Sequence, residues 1–365
     1  MKYTFKEIAF NSTEKRIPVE EDRFTYIGLE HLDSRKLSIT RYGSDVPLKG
    51  EKLVMRKGDI LFGKRNTYLK RVAIAPFDGL FSAHGMVLRP NEKVISREFF
   101  PFFLSSDYFL DEAIRISVGS LSPTVNWKDL KDLEFEIPDF DRQHKIAEVL
   151  SAANNLKESY EAMITATDEM VKSQFIEETK RWSTRSTIGG LVDVNITKAG
   201  KKFKAESTIQ YIDISSVDNA TNTVLGATEY VFKDAPSRAQ QCIKAGDILV
   251  STVRPNLKNI AVNHLSDNNL VASSGFCVLR PRDGYTGLLL AYILSDEFTE
   301  KMTLVAKGTN YPAVHDSDIL DYEITVPEKN EVKRIDSLYR QADKSKFELK
   351  QAIEKIDKVM RALMQ

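Results

Sequence analysis

Cysteine is scarce in this chain: Cys242 and Cys277 are the only two in 365 residues. Two thiols without metal-ligand spacing exclude a disulfide framework, fit a reducing compartment and read as small buried apolar residues. Long apolar runs are missing as well. None reaches the roughly 18 residues of a membrane span, and the opening MKYTFKEIAF lacks the apolar segment of a secretory signal. The cytoplasm is therefore the expected compartment, with no membrane partner. The chemistry-bearing motifs are absent too. There is no G-x-x-x-x-G-K-[ST] phosphate loop, no G-x-G-x-x-G dinucleotide turn, and no Asn-Pro-Pro-aromatic or Asp-Pro-Pro-aromatic tetrapeptide of the kind amino-methyltransferases carry. The histidines His31, His84, His144, His264 and His315 are scattered and form no metal-binding cluster. Pro138-Asp139 opens like a nuclease core, but Glu148 is followed by Val149-Leu150 where that core needs x-Lys. No catalytic residue, metal ligand or cofactor site is nominated.

Net charge is the last absence. Lys and Arg total 52 and so do Asp and Glu, which argues against a protein that coats nucleic acid by charge alone. Outside 142–182 and 329–365 the balance is 36 basic to 39 acidic, so a polyanion site must be a local cluster. With 42% hydrophobic and 28% charged residues, the composition is that of a folded protein, and the length suits about two to three domains.

What the chain does have is an internal repeat. Tyr26-Ile27 recurs as Tyr211-Ile212. Arg56-Lys57-Gly58-Asp59-Ile60-Leu61 recurs as Lys244-Ala245-Gly246-Asp247-Ile248-Leu249. Val87-Leu88-Arg89-Pro90 recurs as Val278-Leu279-Arg280-Pro281. Leu104-Ser105 recurs as Leu294-Ser295, and Phe135-Glu136-Ile137-Pro138 as Ile324-Thr325-Val326-Pro327. Five matches in one order at a nearly constant shift define two copies of a unit, a globular block followed by a helix. Within the blocks, KGDILFG and AGDILVST read as Gly-Asp turns feeding buried strands, and RVAIAP, GMVLRP, NIAVNH and FCVLRP as further short strands. Arg97 to Ile116 and Thr286 to Val305 carry helical periodicity. The expected class is α+β with β dominant.

Each block runs into a long amphipathic stretch. In the first, Ile146, Val149, Ala153, Leu156, Tyr160, Met163, Thr167, Met170 and Gln174 follow steps of three and four. In the second, Val332, Ile335, Tyr339, Ala342, Leu349, Ile353, Ile356, Met360 and Leu363 do so, with Lys346 the misfit. The two seams can bury each other as an antiparallel coiled coil. Alternatively, each packs on its own block or on a second copy, because heptads report a partner without saying which.

Two pairs of polar loops are the binding candidates. Lys64, Arg65, Asn66, Tyr68 and Lys70 follow the first GDIL strand, and Thr252, Arg254, Asn256 and Lys258 follow the second. Arginine and lysine pair with guanine, asparagine with adenine, and lysine or threonine with phosphate. The plain alternative is a solvated hairpin loop. The second pair aligns Ser117 to Thr124 with Lys307 to Val314. It contributes Ser120 and Thr124 in one copy and Lys307, Thr309, Asn310 and Tyr311 in the other. A weaker third pair is Ser82-Ala83-His84 and Ser273-Ser274-Gly275.

The duplicated order of Y-I, K-x-G-D-I-L, V-L-R-P, L-S and I-P, with K-G-T-N-Y-P at 307–312, resembles the specificity (S) subunits of type I restriction-modification systems. The start of the first helix, Ile137-Pro138-Asp139-Phe140-Asp141-Arg142-Gln143-His144-Lys145-Ile146-Ala147, keeps the Gln, Ile and Ala of that family's Pro-Leu-x-Glu-Gln-x-x-Ile-Ala pattern, while Asp141-Arg142 replaces the usual Glu. The second start is more divergent. The resemblance implies two β-rich target-recognition domains, 1–141 and 183–328, separated by two long antiparallel coiled-coil spacer helices, 142–182 and 329–365, in a pseudo-twofold repeat. It further implies a non-catalytic subunit bound to double-stranded DNA with a bipartite target. DNA methyltransferase (M) subunits would dock on the helices, and a motor-endonuclease (R) subunit could join them. S-adenosylmethionine, and ATP with Mg, would then sit on the partner subunits only. A coiled-coil scaffold with two protein-binding domains and no DNA specificity is the competing expectation.

Overall fold

The computed structural model describes residues 1–219 and 222–364. The chain divides into two compact units, Met1–Glu158 with Ile353–Gln365, and Ser159–Ala352. In the first unit the central sheet runs Ala9–Ser12, Met86–Pro90, Ile60–Phe62, Val72–Ile74 in space, all antiparallel. A second sheet runs Lys15–Arg16, Lys52–Met55, Gly79–Phe81, Tyr26–Ile27, its last pair parallel. Lys2–Thr4 pairs with Glu134–Glu136, the strand just before the long helix.

The second unit repeats this plan. Val192–Asp193, Phe276–Pro281, Ile248–Ser251 and Ile260–Val262 form the matching central sheet. Thr223–Val224 and Val217–Asp218 extend it on the far side, an addition without a first-unit counterpart among the described strands. In the other sheet Tyr211 pairs in parallel with Val271, as Tyr26 does with Leu80. Thr184–Thr187 pairs with Glu323–Val326.

The repeated motifs have a physical cause. Ile60 and Phe62 enter one core while Leu61 enters another; Ile248 and Val250 likewise part from Leu249. A strand buried on both faces must be apolar throughout, hence the unbroken I-L-F and I-L-V. The preceding turn places Gly58 and Gly246 at φ +87° and +86°, where a side chain is strained. The next residue closes the turn: Asp59 accepts from the Arg56 amide at 2.8 Å and Asp247 from the Lys244 amide at 2.9 Å. The same carboxylates take both arms of the V-L-R-P arginine, Asp59 from Arg89 at 2.7 and 2.8 Å and Asp247 from Arg280 at 2.9 and 2.7 Å. The two motifs recur together because each supplies half of a buried bidentate pair.

The expected single helical stretches are each two helices. Phe100–Ser105 and Asp107–Arg115 meet at Ser106, and Thr286–Ile293 and Asp296–Val305 are parted by Leu294 and Ser295. Ser106 and Ser295 cap the second helix by accepting from the Phe109 and Phe298 amides, so Asp107 and Asp296 become its first residues.

The central helix is Phe140–Thr179 and the C-terminal helix Lys329–Leu363. In the first unit Ala147, Leu150, Met360 and Met364 join one core cluster, and Lys157 pairs with Asp357 at 2.7 Å. In the second, Phe175 meets Tyr339 with ring centroids 6.3 Å apart. There Asp168 pairs with Lys346 at 2.6 Å and Glu178 with Arg334 at 3.0 Å, so the two segments run antiparallel. The C-terminal seam has the expected phase over most of its length: Val332, Ile335, Tyr339 and Ala342 are buried, and so is the misfit Lys346, while Leu363 is exposed and Met364 packs on the core instead. The central seam has it only in part: Ile146, Ala153, Tyr160, Thr167 and Gln174 are half-buried, and the alternate positions face outward. Val149, Leu156, Met163 and Met170 are 49, 44, 53 and 53% exposed, and the inward positions lie one residue later, at Leu150, Lys157, Ile164, Val171 and, further on, Phe175. The central helix is apolar on two faces, and the inward one holds charged residues that a search for apolar spacing passes over.

Candidate nucleic-acid interface

The loops nominated separately in sequence come together in each unit. In the first, backbone bridges join Arg65 to Thr124 and Val118 to Thr124. The Asn66 amide donates to the Pro123 carbonyl at 2.7 Å and the Val125 amide to the Lys64 carbonyl at 2.9 Å. In the second, Val253 and Lys307 both bridge to Ala313, the Arg254 amide donates to Pro312 at 2.7 Å, and the Val314 amide to Thr252 at 2.9 Å. Gly119 and Gly308 turn the second loop at φ +109° and +110°. This geometry corrects the alignment by one residue: Val118, not Ser117, is the counterpart of Lys307, and Thr124 matches Ala313. It also matches Asn66 with Arg254, leaving Val253 opposite Arg65.

The first loop is a short 3-10 turn, Thr67–Leu69 or Pro255–Leu257, flanked on both sides by residues in the left-handed region. Asn66 and Lys70 have φ 55° and 49°, Arg254 and Lys258 both 50°. For residues other than Gly this conformation costs about 1–2 kcal/mol each, and such strain concentrates where function sets the backbone.

The side chains divide into two groups. Arg65 and Arg254 are exposed and have no carboxylate partner among the described residues. Arg65 donates to Ser122 Oγ at 3.4 Å. Arg254 donates to the Asn310 carbonyl at 3.2 Å and lies over the Tyr311 ring at 4.6 Å. Tyr68, Asn256, Ser120, Lys307 and Thr309 are exposed beside them. Lys64 is half-buried, and burial, with Lys15 nearby, lowers its ammonium below the ordinary lysine value. Its counterpart Thr252 is buried and donates to the Gly275 carbonyl at 3.0 Å, which ties the third loop to the first. The other group is engaged within the chain. Lys70 Nζ contacts Asp107 at 2.5 Å and Asp111 at 2.7 Å, and Lys258 Nζ contacts Asp296 at 2.5 Å. For Asp107 burial acts upward, but the hydrogen bonds from Arg35 and Lys70 outweigh it and its pKa falls below the ordinary value. Lys258 lowers that of Asp296. Sequence reasoning passed over these aspartates, although Ser-Asp directly at the second helix start in both copies was a usable signal.

Cys242 and Cys277 are free and buried. Among the described residues no group of three or more His, Cys, Asp or Glu is placed to hold a metal, and no helix is long and apolar enough to cross a membrane.

Comparison with known proteins follows the same lines. A family model described as the type I restriction modification DNA specificity domain matches residues 20–166 and again 180–358. The chain belongs to that family, with two copies of its domain. Among curated relatives, the HindI type I restriction enzyme specificity subunit of Haemophilus influenzae is 28% identical over 138 residues, 36% of this chain and 29% of that protein. The EcoDI specificity subunit of Escherichia coli is 24% identical over 144 residues, 39% of this chain and 32% of that protein. These alignments span less than a third of either relative's length. Among solved structures, the type I restriction-modification S subunit from M. genitalium aligns over 100% of this chain and 94% of its own with a TM-score of 0.63 at 13% identity, a likeness of fold.

Proposed function

We propose that this chain is the non-catalytic DNA sequence-recognition subunit of a type I restriction-modification complex, each unit reading one half of a bipartite double-stranded target. The observation that carries this is the two-loop frame built twice, with matching backbone bonds and, among the described residues, an exposed arginine free of carboxylates in each. A guanidinium not neutralised by a carboxylate, on a strained, bridged loop, is available to base edges, with guanine O6 and N7 its best partner. Neutral net charge fits a subunit whose partners supply much of the grip on phosphate. Methyltransferase (M) subunits dock on the long helices. The reading is supported by the exposed apolar residues at seven-residue spacing on the central helix, Val149 and Leu156 in the first unit and Met163 and Met170 in the second. S-adenosylmethionine then belongs to those partners, and ATP with Mg to a motor-endonuclease (R) subunit where one joins.

The test is genome-wide methylation mapping in cells with and without the gene. One motif made of two short defined segments around unspecified base pairs should vanish on deletion. An unchanged methylation pattern, with the co-encoded methyltransferase still active, would refute the proposal.

A further inference from the structure

The lysine that ends each recognition turn has the composition of a phosphate contact and the geometry of something else. Lys70 and Lys258 stand at equivalent places, both left-handed, and their amides close the 3-10 turn by donating to Thr67 at 2.9 Å and Pro255 at 3.0 Å. Their ammonium groups are turned to the first residue of the capped helix, Asp107 or Asp296, at 2.5 Å in both units. That helix leads, at its far end, into the second recognition loop. In the first unit Arg35 also binds Asp107, at 2.7 Å, while its amide donates to the Lys70 carbonyl at 3.0 Å.

We infer that Lys70 and Lys258 are positioning residues that fasten the first recognition loop to the helix supporting the second, and that they do not hold DNA phosphate. The inference rests on the reading that these loops recognise DNA. A lysine neutralised by one or two carboxylates releases few counterions on binding DNA, whereas a lysine fastening a strained turn fixes the direction of the arginine beside it. The fastening differs in strength. Lys70 is 17% exposed with two carboxylates, while Lys258 is 31% exposed and its Asp296 77% exposed, so the second unit's latch is the more solvated and the weaker.

The second unit gives the cleaner test, because removing either partner separates the two roles by sign. In the full chain assembled with its methyltransferase partner, Lys258→Met and Asp296→Asn should both weaken methylation of the second half-site by up to about fivefold. Neither should alter the slope of binding against salt, whereas loss of a phosphate contact would reduce that slope by about 0.9. The exchanged pair Lys258→Glu with Asp296→Lys should recover most of the loss. If Lys258 instead held phosphate, Asp296→Asn would free it and strengthen binding, and the exchanged pair would stay as poor as Lys258→Glu alone. Either result overturns the inference. Hydrogen exchange reads the latch without DNA: both single variants should speed exchange at the Leu257 and Lys258 amides, and unchanged protection there would also overturn it. Failure of the wild-type complex to select any sequence would refute the functional proposal, while the exchange result would still decide the latch.

Discussion

The two units share a backbone frame almost bond for bond and differ in the side chains that the frame presents. In the first, the left-handed position before the turn is Asn66, the exposed arginine stands one residue earlier at Arg65, and half-buried Lys64 adds a cation. In the second, the left-handed residue is Arg254 itself, stacked over Tyr311, and the Lys64 position is a buried threonine tied to Gly275. The Asp–Arg turn lock, the loop-to-loop bridges and the lysine latch recur, because they set where an exposed side chain can be placed. The two arginines leave the backbone at different points, so on the proposed function the two units should favour different base sequences.

The largest expected effect comes from breaking the shared frame. Removing the carboxylate with Asp247→Ala leaves Arg280 unpaired with its side chain 16% exposed, and the cost should be about 3–5 kcal/mol in the second unit. Asp59→Ala should cost less, since Arg89 is 31% exposed and can recover water. Thermal melting of the two variants measures this order, and equal losses would show that the lock does not depend on burial.

A middle effect is expected at the paired helices. Lys157 and Asp168 are eleven residues apart, as are Lys346 and Asp357, and the structure matches the lysine of each helix to the aspartate of the other. Asp168→Lys should destabilise the second unit by about 1–3 kcal/mol, and adding Lys346→Asp should restore most of it, whereas adding Lys157→Asp should not. Calorimetry of the three variants distinguishes a register-setting pair from a surface contact, for which the reversed pair would make no difference.

The smallest effect concerns the stacked arginine. Tyr311→Leu should weaken selectivity at the second segment alone by about 0.5–1 kcal/mol, read as the ratio of methylation at cognate and one-base variant sites. Loss at the first segment would mean that Tyr311 acts through more than Arg254.

The repeat was legible in the sequence because its motifs are constrained locally: a Gly at positive φ, an Asp closing the turn, and strands buried on both faces. The C-terminal seam was legible because apolar residues occupy it up to Lys346. Every second position of the central seam was read one residue out of phase because Lys157 and Asp168 face inward while Leu156 and Met163 face solvent. Apolar spacing detects faces and cannot say which face the partner takes. The second loop slipped by one residue for a related reason. Its register is set by backbone bridges at Thr124 and Ala313, and the marks it leaves on residue type are few, the left-handed Gly119 and Gly308 with Pro123 and Pro312. Ser-Asp at each second helix start marked the aspartates, but their pairing with Lys70 and Lys258 shows only in the tertiary structure, which separates these lysines from Arg65 and Arg254.

Methylation mapping of Arg65→Ala and Arg254→Ala in the intact complex asks whether each unit reads its own half of the target. Arg65→Ala should relax or abolish reading of one segment and Arg254→Ala the other, each by roughly 1–3 kcal/mol of discrimination. Equal loss at both segments from either substitution, or a continuous recognition sequence, would contradict it.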